Sequence, residues 1–303
     1  MVIQSHSYQK DIDFTKVMNF LREIFLESKS LFNYLPNRFE NDKDNYTKGI
    51  QIWEEIRKEN RLQKKDIVGI SLPERKYQYF IQVKPKYEFL YSEIITWISE
   101  HAEKVNHNDK DTKLLNIVAL EENILLEKAL IESKYNKANV YGILRVWNTK
   151  KEEKAYSIPE GFSIRSIKGK EEYQAYAKAI QATFGYGDWF TKIVVEEINS
   201  KSFYQKDLDL IVEAPNGDIA SFCTFRMDPV LKIIELEPMG TLPKFRKLGL
   251  AKSLLQEGLN KIKYFNPPLV YISGAANNLG ANKLYKSIGF EKIGTYYYWK
   301  KQI

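Results

Sequence analysis

The stretch at residues 233–251, IIELEPMGTLPKFRKLGLA, leaves few folds open. Its apolar, β-branched start up to Leu236 suits a buried strand. Pro238 and Pro243 interrupt or end that strand, because proline cannot donate to a ladder. After Gly249 the apolar residues Leu250, Leu254, Leu255, Leu259 and Ile262 return at helical spacing. The stretch is therefore a strand–turn–helix unit. The first N–H groups of such a helix lack internal partners and lie at the positive end of its dipole. Gly249 lets backbone approach a ligand, Ala251 keeps a second position small, and Lys244, Arg246, Lys247 and Lys252 add positive charge. This predicts an anion site suited to a diphosphate. A glycine kept only for helix–strand packing would leave the same short pattern, so the downstream sequence has to decide.

Residues 269–273 (LVYIS) read as a second buried strand, followed by GAANN and the helix LGANKLYKSIGF. From about Gly161 onward the chain resembles the core of the GCN5-related N-acetyltransferase (GNAT) family. In that family an Arg/Gln-x-x-Gly-x-Gly/Ala turn grips the coenzyme A diphosphate. An Asn-x-x-Ala-x-x-Leu-Tyr-x-x-x-Gly-Phe pattern follows on the next helix. The matching residues are Arg246, Gly249 and Ala251, then Asn278, Ala281, Leu284, Tyr285, Gly289 and Phe290. The resemblance implies acetyl-CoA as co-substrate. It puts Arg246, Lys247, Leu248, Gly249, Leu250 and Ala251 at the diphosphate, and Asn278 and Asn282 beside the coenzyme. The N–H groups near Met239, Gly240 and Thr241 would hold the pantetheine arm and the thioester carbonyl.

Composition narrows the class. Hydrophobic residues make up 44% of 303 residues and aromatics 14%, enough for real cores in one large domain or two. No apolar run approaches a membrane span, and MVIQSHSYQKD lacks a signal peptide's apolar centre, so a cytoplasmic protein without a membrane partner is expected. The net charge of +7 is spread along the chain with acids interleaved, which reads as a solvated surface and not as a nucleic-acid face. One cysteine excludes an internal disulfide framework, and His6, His101 and His107 have no ligand spacing, so no metal is expected.

Taken in order, the chain alternates helical and strand patterns. Helices are expected at residues 11–27, 87–105, 122–133, 171–183 and 190–199. Strands are expected at 50–56, 67–72, 77–83, 114–120, 140–147, 162–166, 208–214, 219–228 and 295–300, with Asn216–Gly217 as a hairpin turn. Lys150–Lys154 (KKEEK) is the best linker. The two halves also repeat each other. VKPKYEFLYSEIITWI lies as LPKFRKLGLAKSLL does, with Pro85 on Pro243 at an offset of 158 residues (243 − 85). On that register Glu88 replaces Arg246, Tyr91 replaces Gly249 and Glu93 replaces Ala251. LLEKALIESKY matches GANKLYKSIGF, setting Leu130 opposite Tyr285 and Tyr135 opposite Phe290. The fold class expected is α/β (α+β): two tandem GNAT-like domains, each a mixed, mostly antiparallel sheet flanked by helices. Residues 1–150 would be a degenerate, non-catalytic copy and residues 155–303 the catalytic one. A carboxylate about 4 Å from a phosphate repels it by roughly 4 kcal/mol at an effective dielectric near 20, and a tyrosine cannot stand where backbone must reach a ligand.

Acetyl transfer from a thioester to an amine needs a proton acceptor, a donor to the oxyanion and a proton for the departing thiolate. A tyrosine with pKa about 10 can protonate a thiolate of about 8.5 while itself neutral at pH 7. The resemblance gives that place to Tyr285. Glu235 and Glu237 are the candidate bases, both on one face if their strand is regular. Either could instead anchor a cationic substrate, and a base role needs burial, a neighbouring carboxylate or a water relay. Cys223 reads as a buried small residue, and Asp188 and Trp189 lie where the family has its acceptor loops. The reading is an acetyl-CoA-dependent N-acetyltransferase working by direct attack. The alternative is a coenzyme-A-binding sensor or scaffold without turnover. The acceptor, a small-molecule or peptide amine, is not legible, and a homodimer stays open.

Overall fold

The computed structural model describes residues 2–28, 34–41, 49–59, 62–105, 114–150, 155–275 and 277–303. Most of the KKEEK linker and the polar loop at 106–111 lie outside the described residues. Contacts divide the chain into two units, Met1–Ile143 with Gly294–Ile303, and Leu144–Ile293. This differs from the 1–150 and 155–303 partition expected above. The divisions fall within two strands, and the last ten residues go with the first unit. The reason is strand pairing between Tyr296 and Leu120 through to Gln302 and Leu114, which hydropathy does not reveal.

The first unit contains β1 (Val2–Ser7), α1 (Lys10–Ser28), α2 (Pro36–Asn41), β2 (Gln51–Glu59), β3 (Leu62–Arg75), β4 (Gln78–Val83), α3 (Tyr91–Val105), β5 (Leu114–Leu120) and α4 (Ile124–Glu132). β6 (Asn136–Trp147) crosses the first division. Its strands neighbour one another in the order β1-β2-β3-β4-β5, and the chain's last strand adds beyond β5. Every pairing is antiparallel except β4 with β5. β1 has too few apolar residues to register as a strand in the sequence, and it forms by pairing along β2. Burial of Ile94, Ile95 and Ile98 on α3 against Val68, Tyr79, Ile81 and Ile117 forms this unit's core.

The second unit follows with β7 (Ser163–Ser166), α5 (Tyr173–Phe184), α6 (Lys192–Asn199), β8 (Asp209–Glu213), β9 (Ile219–Met227), β10 (Ile234–Thr241), α7 (Leu250–Ile262), β11 (Val270–Gly274), α8 (Leu279–Ile288) and β12 (Phe290–Gln302), the last crossing the second division. All nine residues of β9 are buried, as a central strand covered on both faces requires. On one face Phe225, Ile234, Leu236 and Ile272 pack under Leu254, Leu255 and Leu259 of α7 and Ile288 of α8. On the other, Phe222 and Ile211 pack under Tyr176 and Ile180 of α5 and Val195 of α6. The order is β11-β10-β9-β8-β7, antiparallel except β10 with β11.

Both units thus place a strand that is antiparallel to its predecessor and parallel to its successor just before a proline-led 3-10 turn and a helix. In the first unit the turn is Pro85–Leu90, in the second Pro243–Phe245. Among the described residues no helix is long and apolar enough to cross a membrane, and no three His, Cys, Asp or Glu side chains form a metal-ligating group.

Candidate active site

The turn before α7 is shaped by two left-handed residues. Lys247 has φ of +66° and Gly249, the N-cap of α7, has φ of +79°. A Cβ at Gly249 would meet nothing within 4 Å, so the glycine serves the backbone angle, and the space beside it is open. Arg246 is drawn back over the turn, its Nε donating to the Thr241 carbonyl at 3.2 Å. Leu250 packs in the core and fixes the helix, whose first residues, Leu250, Ala251 and Lys252, border the open space.

β10 does not end at Leu236. Its pairing with β9 shifts register between Leu236 and Met239, where the peptide between Glu237 and Pro238 is cis, and resumes as Met239 with Cys223 through Thr241 with Ser221. The bulge takes up the proline that a regular ladder could not. It also removes the regular alternation that would have set Glu235 and Glu237 on one face. Pairing with β11 covers Ile234 and Glu235, so the strand's later residues lead away as a free edge at Met239, Gly240 and Thr241. That edge is held from behind. Ser221 Oγ donates to the Gly240 carbonyl at 2.7 Å and lies 2.9 Å from the Thr241 hydroxyl. A side chain at Gly240 would collide with Phe222 and Thr183, each 2.6 Å from its Cβ position, so this glycine lets α5 close on the strand.

α8 supplies the third side. Asn278 caps it, its side chain accepting from the Ala281 N–H at 2.9 Å. Tyr285, 6% exposed, meets Phe290 edge-on at 5.9 Å. Burial pushes its phenol well above the ordinary tyrosine value, and the Glu237 carboxylate adds to this while the Arg145 guanidinium opposes it. Glu237 therefore acts electrostatically on Tyr285, whereas Glu235 faces Arg226 on β9 and Tyr271 on β11 across the ladders. Arg145 lies 5.7 Å from the centre of the Tyr285 ring, donates to the Gly274 carbonyl at 3.2 Å and also bonds Asn282 Oδ1. Cys223 is fully buried, and burial raises its thiol, an environment for an inert packing residue.

These parts enclose a cavity of about 510 Å³. Of the residues singled out in the sequence, its lining contains Met239, Gly240, Thr241, Arg246, Lys247, Gly249, Leu250, Ala251, Asn278 and Tyr285. Leu248, Asn282, Glu235 and Glu237 are not in the lining. Leu248 turns outward, 45% exposed, and Asn282 is engaged by Arg145. Thr183, Phe184 and Phe245 line the cavity without having been singled out, and Arg145 supports it from β6. None of the four carried a motif. Residues 174–290 match the model of the acetyltransferase (GNAT) family. This segment is thus similar to a GNAT domain over less than half of the chain. Solved structures agree in fold along the whole chain. A GCN5-related N-acetyltransferase from Sphaerobacter thermophilus has 15% identity, covers 99% of this chain and 95% of its own, and has a TM-score of 0.69. A tandem GNAT protein from the clavulanic acid biosynthesis pathway has 11% identity, with 99% and 98% covered and a TM-score of 0.70. A GNAT-family acetyltransferase from Colwellia psychrerythraea has 14% identity, with both chains covered to 100% and a TM-score of 0.66. No curated protein matches the sequence.

The first unit treats the positions equivalent to the GNAT turn differently. Tyr91, in the register of Gly249, has right-handed helical angles (φ −51°, ψ −46°) and is 5% exposed. Its hydroxyl accepts from Asn123 Nδ2 at 3.1 Å. Asn123 caps α4 as Asn278 caps α8, an equivalence at the offset of 155 residues (278 − 123) that also relates Leu130 to Tyr285. Glu93, in the register of Ala251, accepts from Trp53 Nε1 at 2.8 Å. A tyrosine side chain thus joins the two helix starts of the first unit.

Proposed function

We propose that the chain is an acetyl-CoA-dependent N-acetyltransferase whose second unit catalyses direct transfer from the thioester to an amine. The observation that carries this reading is the shared cavity. Left-handed Gly249 with open space at its Cβ, the held edge at Met239–Thr241, capping Asn278 and buried Tyr285 all line it. The residues fit the coenzyme: the α7 N-terminus, with Arg246, Lys247 and Lys252, suits a diphosphate, and the edge N–H groups suit an amide-bearing arm and a thioester carbonyl.

In the transfer, the amine nitrogen bonds the thioester carbonyl carbon, the C–S bond breaks, and the amine's proton is lost. The Tyr285 hydroxyl gives its proton to the departing thiolate. Its raised pKa keeps the phenol protonated at neutral pH, and Arg145, seated against the ring, limits the cost of the charge left behind. Glu237, which acts on Tyr285, is the better placed of the two carboxylates to draw the ammonium and take its proton through water. The first unit is a degenerate copy without transfer activity. Its repeated strand–turn–helix order and the Tyr91–Asn123 bond in place of the open turn support that reading.

The test is thiol release from acetyl-CoA by the purified full chain against alkyl, aryl, amino-sugar and peptide amines. Amine-dependent release is expected with at least one class. Calorimetric binding of acetyl-CoA with no release for any amine would replace the enzyme by a coenzyme-binding protein.

A further inference from the structure

One flank of α7 is covered by a stretch without secondary structure, residues 155–158. Ser253 Oγ on α7 donates to the Ser157 carbonyl, and the Tyr156 hydroxyl donates to Glu257 one turn further along. Ile158 packs against the core that contains Leu210 and Val212 of β8. The first unit has a matching flank. α3 buries Ile94, Ile95, Ile98 and Ala102 where α7 buries Leu254, Leu255, Gly258 and Ile262, a helix register of 160 residues (254 − 94) against 158 at the prolines. On that register Glu93 and Trp97 stand where Ser253 and Glu257 meet the covering stretch (253 − 93 and 257 − 97). β1 and β2 lie beyond β3 in the sheet as β7 and β8 lie beyond β9. Among the described residues this flank of α3 is open, with Ser92, Glu93, Thr96 and Glu100 all exposed.

The flank borders a groove of about 380 Å³ whose lining includes Ser5 of β1, Trp53 of β2 and Glu93, Trp97 and Glu100 of α3. The two indoles meet at 87° with centres 6.0 Å apart, as a floor and a wall. Trp53 is 1% exposed, and its Nε1 donates to Glu93 Oε1 at 2.8 Å, which fixes the carboxylate beside the floor. His101 stacks on Trp97 at 4.5 Å and 9°, and its Nδ1 lies 2.9 Å from the Trp97 carbonyl, which sets the wall. The lining holds two carboxylates and no lysine or arginine. A carboxylate accepts several hydrogen bonds, so Glu93 can hold Trp53 and a cation together, and indole faces attract the same charge. The groove therefore selects a cation, and the corresponding place in the second unit is filled by a peptide.

We infer that this groove docks a short linear peptide of a partner protein, which places a lysine or arginine in the Trp53–Trp97 corner beside Glu93 and Glu100. The inference stands apart from the acetyltransferase reading. The probe is a fluorescein-labelled copy of the covering stretch with its serine changed to lysine, Ala-Tyr-Lys-Ile-Pro, compared with Ala-Tyr-Glu-Ile-Pro by anisotropy on the full chain. The lysine peptide should bind saturably and at least about tenfold more tightly than the glutamate peptide, which the two carboxylates repel. Trp97→Ala should weaken it about two- to thirtyfold, the range of a cation–π contact, and Trp97→Phe should retain part of the affinity. Glu100→Lys changes an exposed side chain, so it should leave the thermal melt in place and weaken the lysine peptide more at low salt than at high salt. Equal binding of the two peptides, no saturation below roughly 1 mM, or a Kd unmoved by both Trp97→Ala and Glu100→Lys overturns the inference. Nα-acetyl-lysine amide binding as tightly as the pentapeptide overturns it as well, because the groove would then hold a free ammonium and not a peptide.

Discussion

Replacing Tyr285 by phenylalanine removes one oxygen from the proposed chemistry and almost nothing from the fold. The ring is 6% exposed and is held by Phe290 at 5.9 Å and by the Arg145 guanidinium at 5.7 Å, contacts a phenylalanine keeps. The hydroxyl is a phenol whose pKa burial has raised, with Glu237 as a second cause. It is therefore protonated throughout the neutral range and able to donate. Loss of a general acid typically lowers the rate by about 10²- to 10⁴-fold, or roughly 2.7–5.4 kcal/mol of barrier. The loss should appear in kcat, with the KM for acetyl-CoA nearly unchanged, because the turn proposed to hold the diphosphate is untouched. Thiol release at saturating acetyl-CoA, followed from pH 6 to 10, is the assay. In the parent, any alkaline limb belonging to Tyr285 must lie above the ordinary value of 10.0, since the shift is upward. A variant kcat within about twofold of the parent would refute the assignment, leaving Tyr285 as packing and water as the acid.

Three further outcomes test other parts of the molecule. Gly249→Glu forces a side chain onto a left-handed residue and sets a carboxylate at the proposed diphosphate, so calorimetry should show acetyl-CoA binding lost while circular dichroism shows the fold kept. Binding of unchanged affinity would mean that the turn is not the coenzyme site. Titration of the parent with acetyl-CoA should give one site per chain, because Tyr91 and Glu93 are engaged within the first unit; two equal sites would end the degenerate-copy reading. Asp209 is buried among the hydroxyls of Tyr176, Tyr204 and Thr224, and burial raises its pKa from 3.8 to about 6. The folded state then holds the proton more tightly than the unfolded one. Its stabilising contribution is complete below pH 3.8 and is lost as the pH rises through about 6, a difference on the order of 3 kcal/mol. Urea unfolding at pH 4 to 7 should show this fall, and Asp209→Asn should flatten it.

The legible parts of the site were those in which backbone geometry dictates residue type. Gly249 was read as a place for close backbone approach and Asn278 through the family pattern, and the structure adds the backbone reasons, a left-handed N-cap and a helix cap. Phe245, Thr183 and Phe184 were not legible because their role depends on where a helix end and a 3-10 turn meet in space. Arg145 was less legible still. It reaches Asn282 across 137 residues of chain from a strand with no distinguishing pattern. The sequence left Glu235 and Glu237 both open, and the shared face it made conditional on a regular strand is not kept, since two-residue alternation holds only while a ladder keeps register and this one shifts after Leu236. In the fold, the weakly apolar β1 and the pairing of the final strand with β5 escaped for a related reason: both depend on a partner strand and not on their own hydropathy.

If the second unit binds acetyl-CoA as proposed, the bond between Tyr91 and Asn123 should give the two units unequal responses to it. In the first unit the two helix starts are already bridged by protein atoms, so added acetyl-CoA offers nothing that ordering there can gain. In the second unit the corresponding starts, at Gly249 and Asn278, line the cavity that the proposal gives to the coenzyme. Mass action then assigns the ligand's stabilisation, RT ln(1 + [L]/Kd), to the second unit. At a hundredfold excess over Kd that is about 2.7 kcal/mol. Amide hydrogen exchange should therefore slow at the first turns of α7 and α8 on adding acetyl-CoA, while the corresponding turns of α3 and α4 keep the rates they had without it.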